Sequence, residues 1–229
     1  MLEEILKDFN LSTEKIDKLN KLRKICLEYN IHTNLTSITK EQEFNIKHIL
    51  DSIQITKYYE LENKKILDVG SGGGFPGLVL AIVLNNSEVT MLDSNNKKIT
   101  YIQYAINKLE LKNTKTILAR VEETDDEDQY DIVVSRAVAP LNILLEIISN
   151  KVIEDGKCIL YKGSNLEQEM PTKKDLKIIN KKLSLSLDRI YSFDLTRGIE
   201  RKFISFNKNK KTNNTYPRKY NLIKKSPIF

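Results

Sequence analysis

Cysteine and histidine are scarce, two of each in 229 residues. Cys26 lies in a helical pattern and Cys158 inside an apolar strand pattern, far apart in the chain. That excludes a disulfide framework and a thiolate metal site, and both thiols read as buried packing residues. His32 and His48 leave zinc without a ligand set, so no metal is expected. Long apolar runs are missing as well. None reaches membrane-spanning length, and residues 1–10 are acidic and amphipathic rather than basic and then apolar. A cytoplasmic protein with no membrane partner is expected. Internal repeats are also absent.

What is present suffices for one substantial core with a modest appendage, since 40% of the residues are hydrophobic. The net charge of +6 is uneven. From Met170 onward there are 16 Lys+Arg against 4 Asp+Glu, leaving 21 against 27 before it, so a +12 end sits on a −6 body. A basic end on an acidic body suggests a polyanion partner; the plainer reading is that lysine and asparagine merely solvate the surface.

Ile16, Leu19, Leu22, Ile25, Cys26 and Tyr29 recur at helical spacing within residues 2–29. A break over 30–39 precedes another helix from about Lys40 to Tyr58, whose apolar face carries Phe44, Ile46, Ile49, Leu50 and Ile53. From Lys65 the pattern alternates, with strands near 65–69, 88–93, 114–119, 130–135 and 156–161 and helices near 76–85, 95–110, 140–152 and 165–180. This predicts a parallel α/β sheet covered on both faces. Residues 183–194 and 200–207 read as two consecutive antiparallel strands. The polar run 207–214 reads as a mobile loop. The division expected is a helical extension over 1–60 and a main domain over 61–229.

The stretch Ile66-Leu67-Asp68-Val69-Gly70-Ser71-Gly72-Gly73-Gly74-Phe75-Pro76-Gly77 passes from an apolar strand through a glycine turn into an apolar helix. Gly70, Gly72 and Gly74 let the backbone take positive φ and approach a ligand closely. Where such a turn holds a pyrophosphate over a helix N-terminus, a carboxylate at Asp68 would repel it. Asp68 points to a cationic ligand instead. S-adenosylmethionine fits, with an adenosine for the α/β crevice and an ammonium for the carboxylate. Asp93 closes the next strand, at the usual distance for a carboxylate that takes both ribose hydroxyls. The alternative is a nicotinamide-dependent oxidoreductase on the same sheet, which NADH would stabilise and which has to accommodate Asp68.

Ligands of doubly wound sheets lie at the carboxyl ends of the strands. Beyond the glycine turn, those positions are Asp93-Ser94-Asn95, Arg120-Val121-Glu122, Ser135-Arg136-Ala137 and Lys162-Gly163. Further motifs are Asn34-Leu35-Thr36, His48-Ile49-Leu50-Asp51-Ser52, Ser135-Arg136-Ala137-Val138-Ala139, Tyr161-Lys162-Gly163 and Tyr216-Pro217-Arg218-Lys219. On these residues the chain resembles, over nearly its whole length, the RsmG family, also called GidB, the bacterial S-adenosylmethionine-dependent methyltransferases of 16S ribosomal RNA. The resemblance implies a doubly wound, seven-stranded, Rossmann-like methyltransferase fold with an N-terminal helical extension. It also implies methyl transfer from S-adenosylmethionine to N7 of a guanine in the decoding-region hairpin of 16S rRNA; the expected partner is that RNA or a small-subunit precursor, and a monomer is expected. Carried over residue by residue, it implies cofactor contacts at Gly70 and Phe75, at Asp93, Ser94 and Asn95, at Val121 and Glu122 beside the adenine, and at Arg136. One departure lies in the tail, where Asn221-Leu222-Ile223 stands in place of a Gly-Thr-Pro step.

Elementary chemistry agrees with that class. Guanine N7 carries a free lone pair at neutral pH, so no general base is needed and scarce histidine is no obstacle. An exocyclic amino target favours Asn or Asp before Pro-Pro-aromatic after the fourth strand, where this chain has Ser135-Arg136-Ala137-Val138-Ala139-Pro140. A pyrimidine carbon favours a cysteine nucleophile, and Cys158 sits mid-strand. Ring-nitrogen methylation is left. Arg136 is the candidate catalytic residue, expected to contact the cofactor side, guanine O6 or a phosphate while leaving N7 open. Its plainer reading is a strand-end cap or a partner for Glu122.

Lys162, Arg197, Arg201 and Arg218 are candidates for gripping RNA phosphates, and Tyr216 either stacks on the target base or anchors the tail. His48 and Asp51 lie three apart on one helix face beside Ser52, and are expected to hold the N-terminal helices over the cofactor pocket through hydrogen bonds. Catalysis by His48 is the sharper alternative. Asn34 either fixes its loop or approaches substrate. Two other functions are weighed: an RNA-binding protein with a vestigial pocket, against which the occupied strand ends count, and a methyltransferase of proteins or small molecules, against which the basic end counts.

Overall fold

Apolar, β-branched segments build five parallel strands, β1 (Lys65–Val69), β2 (Glu88–Asp93), β3 (Thr114–Leu118), β4 (Tyr130–Arg136) and β5 (Val152–Lys162). With β6 (Leu185–Thr196) and β7 (Ile199–Lys208) they form one sheet of order β3-β2-β1-β4-β5-β7-β6, in which β7 runs antiparallel to both neighbours. These positions come from a computed structural model that describes residues 1–124, 130–164, 166–196 and 198–229. The order reverses between β1 and β4, which opens a crevice at their carboxyl ends.

The N-terminal segment forms α1 (Leu2–Ile5), α2 (Thr13–Thr33), α3 (Glu41–Phe44) and α4 (Asp51–Ile53). Between α3 and α4 the chain keeps winding as a π-helical segment, Asn45–Leu50. Then come α5 (Gly77–Val83), α6 (Asn96–Leu109), α7 (Leu141–Ile148), α8 (Leu166–Glu169), α9 (Lys173–Leu183) and α10 (Tyr220–Lys225). All seven residues of α5 are buried. A helix apolar on every side has to be covered on every side, and here β2 lies against one flank while α2 and α4 cover the others. Leu19, Leu22, Phe44, Ile49 and Ile53 therefore share a core with Leu78, Leu80, Met91 and Ile102. The opposite core gathers Leu67, Val133, Leu145, Ile148, Ile179, Phe206 and Ile223.

Three details differ from the sequence reading, and a fourth settles a stretch it left open. β5 begins four residues early because a bulge shifts its register against β4 between Tyr130↔Val152 and Ile132↔Lys157. The helix expected over 165–180 is two, α8 and α9, because Pro171 cannot continue a helix and Thr172 with Asp175 forms a capping box that starts a new one. The polar run 207–214 is pinned, not loose. Lys208 and Thr212 are buried, and the Lys208 ammonium donates to the carbonyls of Ser149 and Leu183 and to Thr212 Oγ1. The tail containing Asn221-Leu222-Ile223 is helical, with Ile223 fully buried.

Cys26 and Cys158 are free and buried, and burial pushes the Cys158 thiol up to about 12. Among the described residues no group of three or more His, Cys, Asp or Glu is placed to hold a metal ion. Nor is any of their helices long and apolar enough to cross a membrane.

Candidate active site

Two clefts meet at the carboxyl end of the sheet, with Ala137, Val138 and Ala139 as their common wall. The smaller, about 270 Å3, is lined by Gly70, Asp93, Ser94, Val121 and Glu122, all expected from their strand-end positions, together with Lys98, Arg120 and Tyr220. Of the glycine turn Gly70 lines it, while Asp68, Gly72, Gly74 and Phe75, like Asn95, lie behind its wall; Gly70, Gly72 and Gly74 have φ of 70°, 58° and 86°. A Cβ on Gly70 would lie 2.3 Å from Val138 Cγ2, so the two strand-end loops touch there only because Gly70 has no side chain.

Asp68 lies beneath this turn with no exposed surface. Its Oδ2 accepts the Gly77 N–H at 2.9 Å, fixing the start of α5, while Oδ1 is buried without a partner. Burial pushes the carboxyl up to about 6, although the Gly77 N–H pulls the other way. Asp93 Oδ2 accepts the Gly72 N–H and Oδ1 the Asn95 N–H, each at 2.9 Å, so this carboxylate ties the two loops together. The Asn95 side chain caps α6 by accepting from the N–H groups of Lys97 and Lys98. Val121 is buried, and Glu122 Oε1 is a second buried acceptor with no donor. Two orphaned carboxylate oxygens beside a glycine cradle suit a ligand that brings its own N–H donors, one of them cationic. S-adenosylmethionine, with an ammonium and an adenine amino group, is such a ligand.

The larger cleft, about 720 Å3, holds Arg136, Lys162 and Arg201 with Lys47, His48, Asp51 and Glu169. Arg136 lines this cleft and is not part of the smaller one. Its Nη1 donates to Asp51 Oδ2 (2.8 Å) and to the Lys47 carbonyl (3.1 Å), and its Nη2 faces His48 Nδ1 at 3.1 Å. The π-helical winding shapes this socket. The Asp51 N–H reaches Ile46 O and His48 O, and the Lys47 carbonyl between them accepts the guanidinium. Asp51, 3% exposed, gives its other oxygen to Arg201 Nε at 3.0 Å.

A guanidinium only donates, so His48 Nδ1 accepts and the ring proton sits on Nε2, donated to Thr36 Oγ1 at 2.8 Å. Burial, then the charge of Arg136, lowers the His48 pKa to about 3. With both nitrogens engaged, His48 has none left for a substrate proton. Its ring stacks on Phe75, centroids 4.5 Å apart, which joins the glycine turn to the N-terminal helices. Ser52 contributes its carbonyl, which accepts the Tyr161 hydroxyl at 2.8 Å. Asn34 ends α2 in a left-handed turn, and it is Asn30 that clamps the following loop through two 2.9 Å bonds to the Thr36 backbone.

The expected phosphate-gripping residues are not gathered together. Lys162 and Arg201 line the larger cleft, paired with Glu169 at 2.6 Å and with Asp51. Arg218 is elsewhere, its Nε and Nη2 donating to both oxygens of the fully buried Glu146 at 2.8 and 2.7 Å. Tyr216 is half-buried against the core and anchors the tail. Arg197 lies outside the described residues.

Sequence reasoning placed Arg120 at a strand end but missed its partner Tyr220, and it missed Glu169. Arg120 sits 6.0 Å over the Tyr220 ring, a meeting created by the docking of α10, which no local pattern announces. Glu146 did carry a signal: a lone carboxylate inside Leu141-Asn142-Ile143-Leu144-Leu145-Glu146-Ile147-Ile148 has to find a cation.

Among solved structures the fold is that of a methyltransferase from Aquifex aeolicus, described as S-adenosylmethionine-dependent (TM-score 0.56, 15% identity, 76% of this chain and 97% of that one). It is also that of TYW2 from M. jannaschii, solved in complex with AdoMet (TM-score 0.56, 19% identity, 75% and 79%). At these identities the likeness shows the fold alone. In sequence, the chain is 42% identical over 216 residues to the ribosomal RNA small subunit methyltransferase G of Mesoplasma florum, covering 93% of this chain and 90% of that protein. With the protein of the same name from Mycoplasma capricolum it shares 40% over 220 residues, covering 96% and 94%. The profile of the family described as rRNA small subunit methyltransferase G matches residues 15–192. The chain therefore belongs to the GidB family of rRNA small subunit methyltransferases, and the oxidoreductase alternative falls.

Proposed function

We propose that this protein transfers a methyl group from S-adenosylmethionine to N7 of a guanine in the decoding-region hairpin of 16S rRNA, acting as a cytoplasmic monomer on the RNA or on a small-subunit precursor particle. Family membership supports the reaction and the RNA class. The observation that supports the choice of atom is the larger cleft, rich in cations, where His48, the histidine among its described residues, is neutral with both ring nitrogens engaged and so takes no proton from a substrate. Such a site suits a nucleophile that already has its lone pair, as guanine N7 does.

When bound, S-adenosylmethionine supplies an electrophilic methyl group on a positively charged sulfur. Asp68 Oδ1 would take its ammonium, Asp93 the ribose hydroxyls, and Val121 with Glu122 the adenine. Gly70, Gly72 and Gly74 give the backbone its close approach, with Phe75, Ser94 and Asn95 shaping the surroundings. Arg136, held on three sides by Lys47, His48 and Asp51, keeps one Nη2–H and the Nε–H for guanine O6 or a phosphate. Lys162 and Arg201 extend the cationic surface toward the RNA backbone. Residues 1–60 serve as a helical cover on a methyltransferase domain of 61–229, bringing Lys47, His48 and Asp51 to the cleft.

The test is mass mapping of 16S rRNA from cells lacking this gene, with and without complementation by the intact protein. A 7-methylguanosine in the decoding-region hairpin that disappears and returns is expected. Unchanged 7-methylguanosine would overturn the choice of atom and of substrate.

A further inference from the structure

The larger cleft has two carboxylates among its cations, and they differ in what they have left to offer. Asp51 gives one oxygen to Arg136 and the other to Arg201. Glu169 uses a single oxygen twice. Its Oε2 accepts the Lys162 ammonium at 2.6 Å and the Leu141 N–H at 2.7 Å, whereas Oε1 accepts no hydrogen bond from any described residue. The side chain lines the cleft and is 29% exposed, which leaves a ligand there room to reach Oε1. Glu169 is thus the one carboxylate among the described residues of the cleft with an unclaimed oxygen.

Purine chemistry says what such an oxygen selects. Guanine presents two donors side by side, N1–H and the 2-amino group, where adenine presents the bare N1 lone pair. A carboxylate oxygen attracts the first edge and repels the second. N7 lies on a different edge of the ring, so this contact leaves it clear. As N7 gains its methyl group the purine becomes cationic and N1–H more acidic. A hydrogen bond from N1–H to a carboxylate therefore strengthens on the way to the transition state.

We propose that Glu169 reads the target base, its Oε1 accepting from N1–H and the 2-amino group of the guanine while Oε2 stays anchored to Lys162 and Leu141. This deepens, and rests on, the guanine assignment made above.

The experiment compares methylation of small-subunit RNA carrying guanosine or inosine at the methylated position, using the intact wild-type protein and Glu169→Gln. Inosine keeps N7, O6 and N1–H and lacks only the 2-amino group. In the variant, Lys162 and Leu141 still demand an acceptor, so the amide oxygen turns to them and the NH2 faces the base. The wild type should lose about tenfold in kcat/KM on inosine, the cost of one missing base-edge contact. Glu169→Gln should lose kcat on guanosine, bring the guanosine-to-inosine ratio near one, and bind S-adenosylmethionine as the wild type does. Equal wild-type rates on the two RNAs, or an unchanged ratio in the variant, would overturn the proposal. The first of these outcomes needs no variant to fold. A wild type inactive on guanosine RNA would instead sink the guanine assignment itself, and this proposal with it.

Discussion

Arg136 shows how a strand-end position becomes a working group. Its place after β4 was readable from the sequence; the socket around it was not, because Lys47, His48 and Asp51 come from a helix more than 80 residues away. Arg136→Ala leaves Asp51 buried with one partner fewer. Methylation should fall by at least 100-fold while S-adenosylmethionine binding, measured by calorimetry, persists. Full activity in the variant would reduce Arg136 to a strand-end cap. His48, with its pKa near 3, should stay neutral under all working conditions. Its folded-state pKa lies below the unfolded value, so the unfolded chain takes up the proton first, and the stability it contributes is lost as pH falls from about 6.5 toward 3. An NMR titration should find the His48 ring unprotonated at pH 5. A methylation rate that follows a histidine titration near 6.5 would restore the catalytic alternative.

The strand–helix alternation from Lys65 onward was legible because each β–α unit switches the apolar period from 2 to 3.6. Less legible were features that depend on a neighbour: the β5 bulge set by pairing with β4, and the π-helical winding of Asn45–Leu50 set by what its carbonyls must reach. The helix break at Pro171 is legible in the sequence, because proline cannot continue a helix and Thr172 with Asp175 spells a capping box. Within the β1–α5 unit, Gly77 is held by volume. A Cβ there would lie 2.4 Å from Met91 Cγ and 2.8 Å from Asp68 Oδ2. Gly77→Ala should destabilise the fold by about 1–3 kcal/mol, read as a lowered Tm, and displace Asp68 from the start of α5. A variant with unchanged Tm would show that this turn has slack.

Across the assembled fold, the +12 end reads differently once its partners are seen. Arg201, Lys202 and Arg218 all pair with carboxylates, so the local excess of charge overstates what RNA meets. Lys162 is paired too, with Glu169, so salt titrations of RNA binding separate a paired cation that lines the larger cleft, Lys162, from one outside it, Arg218. Lys162→Ala should reduce the slope of log K against log salt by about one. Arg218→Ala should leave that slope unchanged and cost about 3 kcal/mol of stability, because it strands the buried Glu146 carboxylate. The reverse pattern would return Arg218 to the RNA-binding surface. The sequence located the basic end but not its neutralisation, since Asp51 and Glu146 belong to distant elements and pair with it only through folding.

A calorimetric titration with S-adenosylmethionine, run from pH 8 to pH 5 on the wild type and on Asp68→Asn, tests most directly whether the smaller cleft receives the methyl donor as a cation. Asp68 has to be ionised to hold an ammonium, and burial has set its pKa at about 6. One site is expected, with affinity level above pH 6 and weakening below it by up to about tenfold per pH unit, with proton release on binding in that range. Asp68→Asn should bind weakly at every pH. No heat from well-folded wild-type protein, or identical curves for the two proteins, would contradict it.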